Sequence, residues 1–192
     1  MQIKETASET CWVESLDGGW LFLLPTCECT GSLIAVGDSA TELLEHSRLV
    51  NPQIESLSAA GGRFAAYPRI LDPLCAPGWL ACGSAVMSFD PICGEGAGQA
   101  VREAILASAL LEHWLNGHLL EGLLNHYSSR LLAGFLRHLV TCRRFYVSAH
   151  SSEWWQAELT AIESGIEWTR RRLSELPKSQ YRLVDFALEP VP

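Results

Sequence analysis

The spacing of hydrophobic residues changes along the chain, and the first part has the short period of β-strands. Residues 11–15, 20–24 and 32–37 are short runs of aromatic and aliphatic side chains. Asp17-Gly18-Gly19 and Thr30-Gly31 separate these runs, and glycine beside a small polar residue favours a tight turn. Because tight turns join antiparallel neighbours, the pattern predicts an antiparallel meander.

Helical spacing replaces this pattern in the second half. Apolar and small residues recur every three or four positions over residues 97–115, 119–149 and 153–176, which predicts long helices. Gly134 is a weak point in the middle segment, which is therefore one helix or two. Shorter elements are expected as well: helices over residues 39–46 and 52–60, a strand over residues 64–70, and strand-like alternation over residues 181–188. The predicted fold class is α+β.

Composition places the chain among ordinary globular proteins. Of its 192 residues, 48% are hydrophobic and 19% are charged, and the formal net charge is −8. A negative chain lacks the basic footprint that phosphate binding needs, so nucleic acid is not expected as the main partner. The most apolar run, residues 105–111, is far shorter than the roughly 20 residues of a spanning helix, so no membrane span is expected.

The seven cysteines and six histidines do not form a recognisable local site. The cysteine count is odd and the spacing irregular, so free thiols and a cytoplasmic location are expected rather than a disulfide framework. No histidine pair has metal-ligand spacing with a carboxylate nearby, so no metal site is predicted. Cys82 and Cys93 could have a redox role, but packing in the interior is the preferred interpretation. No catalytic residue is assigned.

The most informative segment for function runs from Gly78 to Ala100. A short apolar strand ends at Gly83-Ser84, a loop follows, and a long helix begins beside Gly94-Glu95-Gly96. Glycines let a ligand approach the main chain, because no Cβ stands in the way. A helix start presents free N–H groups and a partial positive charge. This arrangement predicts a site for a phosphate, a carboxylate or the polar edge of a heterocycle.

The same segment resembles the second FAD-binding motif of the p-hydroxybenzoate hydroxylase-like flavoproteins. That family includes aromatic-ring monooxygenases, geranylgeranyl reductase-like proteins and flavin-dependent halogenases. Its motif is Gly-Asp-Ala-Ala, then Asp-Pro or Pro, then Gly-x-Gly and a helix rich in alanine. The corresponding residues here are Gly83-Ser84-Ala85-Val86, Asp90-Pro91, Gly94-Glu95-Gly96, and the helix positions Ala100 and Ala104. The resemblance covers roughly residues 10 to 115.

The resemblance implies an FAD-dependent oxidoreductase or monooxygenase that acts on a hydrophobic small molecule. The implied division is a substrate-domain-like sheet in residues 1–75, the FAD-contacting strand, loop and helix in residues 76–117, and a helical part in residues 118–192. The implied cofactor-binding residues are Gly83, Ser84, Asp90, Pro91, Gly94, Glu95, Gly96 and Ala97. The N–H groups from Gly94 to Ala97 would face the pyrimidine edge of the isoalloxazine ring. Asp90 and Glu95 could also act in acid-base chemistry, although capping or ordering the loop is at least as good an interpretation.

The sequence departs from the family in two ways. Serine stands at position 84, where the family uses an aspartate to bind the ribityl chain, and serine has neither its charge nor its reach. The strand, Gly-x-Gly-x-x-Gly and helix that hold the ADP moiety have no counterpart in residues 1–60. The chain is therefore expected to lack the amino-terminal Rossmann βαβ unit and to bind FAD weakly or not at all alone. It could be a truncated gene product, one half of a split protein whose second chain supplies that unit, or a degenerate relative.

One alternative function remains open from the sequence, and the type of flavoprotein is narrowed but not fixed. The chain could be a non-catalytic interaction or assembly protein derived from a flavoprotein fold. Within the flavoproteins, a halogenase is disfavoured, because the only lysines are Lys4 and Lys178 and neither can be placed at a halogenase site.

Overall fold

The computed structural model describes residues 1–58 and 61–191. The chain divides into two compact units, the first formed by Met1–Ala65 with Phe145–Thr160 and the second by Ala66–Arg144 with Ala161–Pro192. The fold is α+β, with four α-helices and an antiparallel sheet in the described residues.

The first unit is built on a five-stranded sheet. Its strands are β1 (Gln2–Ile3), β2 (Trp12–Leu16), β3 (Gly19–Cys27), β4 (Thr30–Gly37) and β5 (Ile54–Ser56). The order across the sheet is β2-β3-β4-β1-β5, and every neighbouring pair is antiparallel. The meander predicted from the turn residues is confirmed as β2-β3-β4.

The turn between β2 and β3 depends on glycine. Leu16 pairs with Gly19, so only Asp17 and Gly18 lie between the strands. Gly19 has φ +148°, and a Cβ placed there would lie 2.0 Å from the carbonyl oxygen of Val36 on β4. No larger residue fits this close approach, which explains why the sequence places two glycines together.

Helix α1 (Ala40–His46) packs against the sheet of the first unit. Ser39 and Glu42 form a reciprocal capping box, since each side chain accepts a hydrogen bond from the other residue's main-chain N–H, at 3.2 and 3.1 Å. Leu43 and Leu44 are buried in the same hydrophobic cluster as Leu21 of β3. This cap starts the helix that covers the core, and the helix predicted over residues 39–46 is confirmed as α1.

Two sequence predictions in the next segment are wrong. In place of a helix over residues 52–60, a short 3₁₀ helix (Asn51–Gln53) leads into β5, whose edge pairs with β1; Ala59 and Ala60 lie outside the described residues. The strand expected over residues 64–70 is reduced to β6 (Arg69–Ile70). Pro68 directly precedes β6 and has no N–H to give to a strand partner.

The second unit contains most of the helices and three two-stranded antiparallel sheets. Strand β6 pairs with β9 (Met87–Ser88), β7 (Cys75–Ala76) pairs with β8 (Trp79–Leu80), and β10 (Tyr181–Val184) pairs with β11 (Ala187–Pro190). The helices are α2 (Gly96–Leu115), α3 (Leu120–Ala149) and α4 (Glu153–Glu175). Short stretches of α3 and α4 belong to the first unit.

Helix α3 is continuous through Gly134, the position at which the sequence left one helix or two open. A Cβ at Gly134 would lie 3.3 Å from Nε2 of Gln99 on α2, so the glycine allows a close approach between these helices. Within residues 1–58 and 61–191, none of the helices combines the length and the apolar character needed to cross a membrane.

Candidate functional site

The start of helix α2 leaves main chain exposed. Glu95 precedes the helix and makes no side-chain cap, while Gly94, Gly96 and Ala97 are exposed. A Cβ added at Gly94 or Gly96 would have no other atom within 4 Å. The first N–H groups of a helix have no partner inside it. The N–H of Gly94, which lies before the helix and was predicted to face the flavin, instead donates to the carbonyl oxygen of Pro91 at 3.0 Å. The helix start is therefore open to a ligand that accepts hydrogen bonds or carries negative charge.

The loop in front of α2 is ordered by Asp90. Asp90 is only 3% exposed, and its Oδ1 accepts a hydrogen bond from the N–H of Ile92 at 2.9 Å, which caps the short 3₁₀ helix Pro91–Cys93. Gly94 then takes φ +61° and turns the chain towards α2. Asp90 and Pro91 thus shape the loop, and capping is the role that the geometry gives to the Asp90 carboxylate.

Gly83 is anchored on α2 by a buried carboxylate. Its N–H donates to Oε2 of Glu103 at 2.7 Å, and Glu103 is 2% exposed. Burial raises the pKa of the Glu103 carboxyl group above its usual range, although the hydrogen bonds it accepts oppose this change. A Cβ at Gly83 would lie 3.7 Å from the Cβ of Ala100. Ala100 stands four residues beyond Gly96, about 6 Å along the helix axis.

Helix α3 holds the chain in front of the Gly83 turn. The hydroxyl group of Tyr127 donates to the carbonyl oxygen of Ala81 at 2.8 Å, and burial raises the pKa of this phenol. Ser84, next to Gly83 in the turn, is exposed. The predicted site residues therefore fall into three groups: an open helix start at positions 94 to 97, a turn anchored beside it at positions 83 and 84, and the inward-facing cap at positions 90 and 91.

A second group of chemically active side chains lies behind the loop, and sequence reasoning did not find it. The Sγ atoms of Cys93 and Cys142 are 3.5 Å apart, and Cys142 Sγ is 3.3 Å from Nε2 of His138. His138 and Cys142 are buried and Cys93 is partly buried. The hydrogen bond from Cys142 lowers the pKa of Cys93 to about 6, and it raises the pKa of Cys142 itself. The available signal was the spacing of His138 and Cys142, which places them one turn apart on a helix.

The second unit also has an open groove of about 510 Å³ along the start of α3. It lies away from the residues predicted to contact a cofactor and is lined by Cys75, Ala76, Pro77, Leu120, Glu121, Leu124, Asn125 and Ser128. In this groove, Sγ of Cys75 lies 3.3 Å from Oγ of Ser128, and burial raises the pKa of the Cys75 thiol. The groove therefore presents a protonated thiol at neutral pH rather than a nucleophile.

The geometry at the helix start is the basis for a functional interpretation, since similarity to known proteins provides none. Searches with protein-family descriptions, with curated proteins and with solved structures find no match for this chain.

Proposed function

We propose that this chain forms the isoalloxazine-contacting part of an FAD-dependent oxidoreductase. The observation that carries the proposal is the open start of α2, where Gly94 and Gly96 leave space for a ligand against the main chain. A flat heterocycle with carbonyl and ring-nitrogen acceptors along one edge matches a row of N–H donors, whereas a bulky side chain at either position would block it.

The polarity of the helix start fits the chemistry of a flavin. Bound FAD would supply hydride transfer to or from a hydrophobic organic substrate, with or without oxygen. The helix start carries a partial positive charge, which typically stabilises a nearby anion by about 0.3–1 kcal/mol and by up to about 2 kcal/mol when partly buried. The N–H groups at positions 95 to 97 would therefore bind the negative edge of the reduced ring more tightly than the neutral oxidised ring, whereas the N–H of Gly94 already donates to the carbonyl oxygen of Pro91.

The remaining predicted residues have supporting tasks. Glu103 holds the Gly83 turn against α2. The N–H and carbonyl groups of Gly83 pair with Glu103 and Val86, so the exposed hydroxyl group of Ser84 is the group of this turn that would contact the chain linking the ring to the nucleotide. Asp90 and Pro91 fix the loop from behind. In this arrangement they position main-chain donors rather than contact the ring with their own side chains.

The nucleotide half of FAD would need other residues. The sequence contains no Gly-x-Gly-x-x-Gly motif of the kind that holds the diphosphate between a strand and a helix. We infer that a further segment or a partner chain supplies this half, and that residues 1–192 alone bind the cofactor weakly. Weak binding still gives a measurable test, because flavin fluorescence responds to the environment of the ring.

The experiment is a titration of the purified chain into FAD, followed by flavin fluorescence, with two leucine variants. Gly96→Leu fills the space over the first N–H groups of α2 without requiring a positive φ. Ser108→Leu adds the same side chain at an exposed position about 18 Å further along the same helix. Saturable binding by the wild type and by Ser108→Leu, with loss in Gly96→Leu, supports the proposal. No binding by the wild type refutes flavin binding by this chain. Equal binding by all three proteins refutes the start of α2 as the flavin site.

A non-catalytic interaction protein is the second candidate, and one observation favours it. Trp114 and Leu115 at the end of α2 and Leu119 before α3 are 47%, 78% and 82% exposed, which is unusual for three large apolar side chains so close in sequence. Purification of the chain with its natural partners separates the candidates. A flavin-containing complex whose partner carries the Gly-x-Gly-x-x-Gly half favours the oxidoreductase. A flavin-free complex with an unrelated protein favours the interaction protein.

A further inference from the structure

We propose that Cys93, His138 and Cys142 form a binding site for a thiophilic divalent metal ion of the Zn²⁺ class. The three donor atoms all lie within 4.8 Å of one another, and they come from two segments separated by more than 40 residues. The proposal does not depend on flavin binding, since none of the three side chains belongs to the exposed donors at the start of α2.

Two of the three donor separations match the edges of a tetrahedral metal site, and the third, between Cys93 and His138, is no more than 4.8 Å. With Zn–S bonds of about 2.3 Å and Zn–N bonds of about 2.0–2.1 Å, two sulfurs are about 3.8 Å apart and a sulfur and a nitrogen are about 3.6 Å apart. The observed separations are 3.5 Å between the sulfurs and 3.3 Å between Cys142 Sγ and His138 Nε2. Both are within about 0.3 Å of the expected edges, and the sulfurs are much farther apart than the 2.0 Å of a disulfide.

The local fold brings the donors together with little freedom. His138 and Cys142 are four residues apart on α3, so both side chains project from the same face of one helix. Cys93 ends the capped 3₁₀ helix Pro91–Cys93, and the left-handed Gly94 turns the chain away directly after it. Because the segments are fixed by secondary structure on both sides, the three donors are held close together before a metal ion binds, and the main-chain group that must move is the N–H of Asp90.

The surroundings of His138 are those of a metal-binding imidazole. Its ring stacks on Phe89 with the centroids 4.0 Å apart and the planes 4° from parallel. Nε2 accepts a hydrogen bond from the N–H of Asp90 at 2.9 Å, which places the ring proton on Nδ1, and Nδ1 lies 3.9 Å from Oε2 of Glu95. A carboxylate facing the second nitrogen is the usual support of a histidine ligand. The ion would take the place of the Asp90 hydrogen on Nε2.

The donor types select the metal. Two thiol groups and an imidazole are soft or intermediate ligands, which favour Zn²⁺ and related ions over Mg²⁺ or Ca²⁺. His138 and Cys142 are 0% exposed, while Cys93 is partly exposed, so the ion would enter from the side of Cys93. Water would complete the coordination there, as in sites with three protein ligands.

The test is a Co²⁺ titration of the reduced, EDTA-treated full chain, followed by displacement with Zn²⁺. We expect one Co²⁺ per chain, with the thiolate-to-cobalt charge-transfer band and the strong visible bands of tetrahedral cobalt. Cys93→Ser should weaken binding by more than about 100-fold, because loss of a ligand exceeds the roughly 10–100-fold effect of a supporting residue. Glu95→Gln should weaken it about tenfold, as a supporting residue at the surface.

Cys75→Ser is the matched control, because Cys75 is also partly buried in the second unit but lies outside the group. It should bind Co²⁺ as the wild type does. Circular dichroism of Cys93→Ser separates lost binding from lost folding, and Cys93 is exposed enough to accept serine. Absence of saturable Co²⁺ binding by the reduced wild type overturns the proposal, and so does equal affinity in Cys93→Ser. The proposal would also be overturned if the purified chain contained a Cys93–Cys142 disulfide and still failed to bind Zn²⁺ after that disulfide was reduced.

Discussion

Replacement of Glu103 is expected to detach the Gly83 turn from helix α2. The carboxylate is 2% exposed and accepts the N–H of Gly83 at 2.7 Å. In Glu103→Ala this N–H loses its acceptor, and a cavity remains where the side chain stood. In Glu103→Gln the amide oxygen can still accept the hydrogen bond, and the volume is nearly unchanged.

The two variants should differ clearly in stability. Loss of a hydrogen bond to a charged acceptor costs about 1.5–3 kcal/mol, and truncation of a buried side chain adds to this. We expect Glu103→Ala to lower the free energy of unfolding by about 2–4 kcal/mol. For a chain of this length that corresponds to a fall of about 5–15 °C in Tm. Glu103→Gln should remain within about 1 kcal/mol of the wild type, since it also removes a buried charge.

The difference in stability between the wild type and Glu103→Gln should also depend on pH. Burial raises the pKa of Glu103 in the folded protein above its ordinary value of 4.5. Between these two pKa values the folded state binds more protons than the unfolded state, so the contribution of Glu103 to stability is lost as pH rises. The wild type should therefore lose stability relative to Glu103→Gln as pH increases from about 4.5.

Urea unfolding followed by circular dichroism, at several pH values from 4.5 to 8 in buffers of equal ionic strength, measures both effects. Two results would refute the reasoning. One is a Glu103→Ala variant within about 0.5 kcal/mol of the wild type, which is the usual range of a surface substitution. The other is a Glu103→Gln variant as unstable as Glu103→Ala, because the hydrogen bond would then not be what holds the turn.

Two further predictions concern other buried ionisable groups. Glu14 is 7% exposed and its carboxylate accepts the N–H groups of Arg48, Leu49 and Val50 at 2.7 to 3.1 Å. Glu14→Ala should lower the free energy of urea unfolding by about 3 kcal/mol or more, and Glu14→Gln by less; equal losses would contradict the role of the acceptor. Burial lowers the pKa of His126 to about 4, so the unfolded state takes up the proton first and stability should fall as pH drops from about 6.5 towards 4. The fall should reach about 3 kcal/mol and disappear in His126→Gln, and an unchanged pH profile in that variant would contradict it.

The elements that the sequence predicted well are those fixed by local chemistry. The capping box of Ser39 sets the start of α1, and the Asp17-Gly18 turn sets the register of β2 and β3. The start of α2 differs by one residue from the expected position, since Gly94 and Gly96 mark the change of backbone conformation directly. These signals lie within a few residues of the structure that they determine.

The elements that the sequence did not predict depend on distant partners. Residues 54–56 form a strand because β1, about 50 residues earlier, offers a free edge, and this pairing overrides local helix preference. The approach of Cys93 to Cys142 joins residues that are 49 positions apart, so no local spacing displays it. Asp90 could be identified as a cap from sequence, but its complete burial and its main-chain contact with His138 could not.

The most direct measurement for flavin binding is the change in backbone amide chemical shifts when FAD is added to the ¹⁵N-labelled chain. The proposed contact predicts the largest shifts at Gly96 and Ala97, with smaller shifts at Gly94, Gly83 and Ser84. Riboflavin should give the same pattern, because the ring rather than the nucleotide makes the contact. Shifts confined to the groove at Cys75 and Ser128, or no shifts at all, would contradict a flavin-binding role for the start of α2.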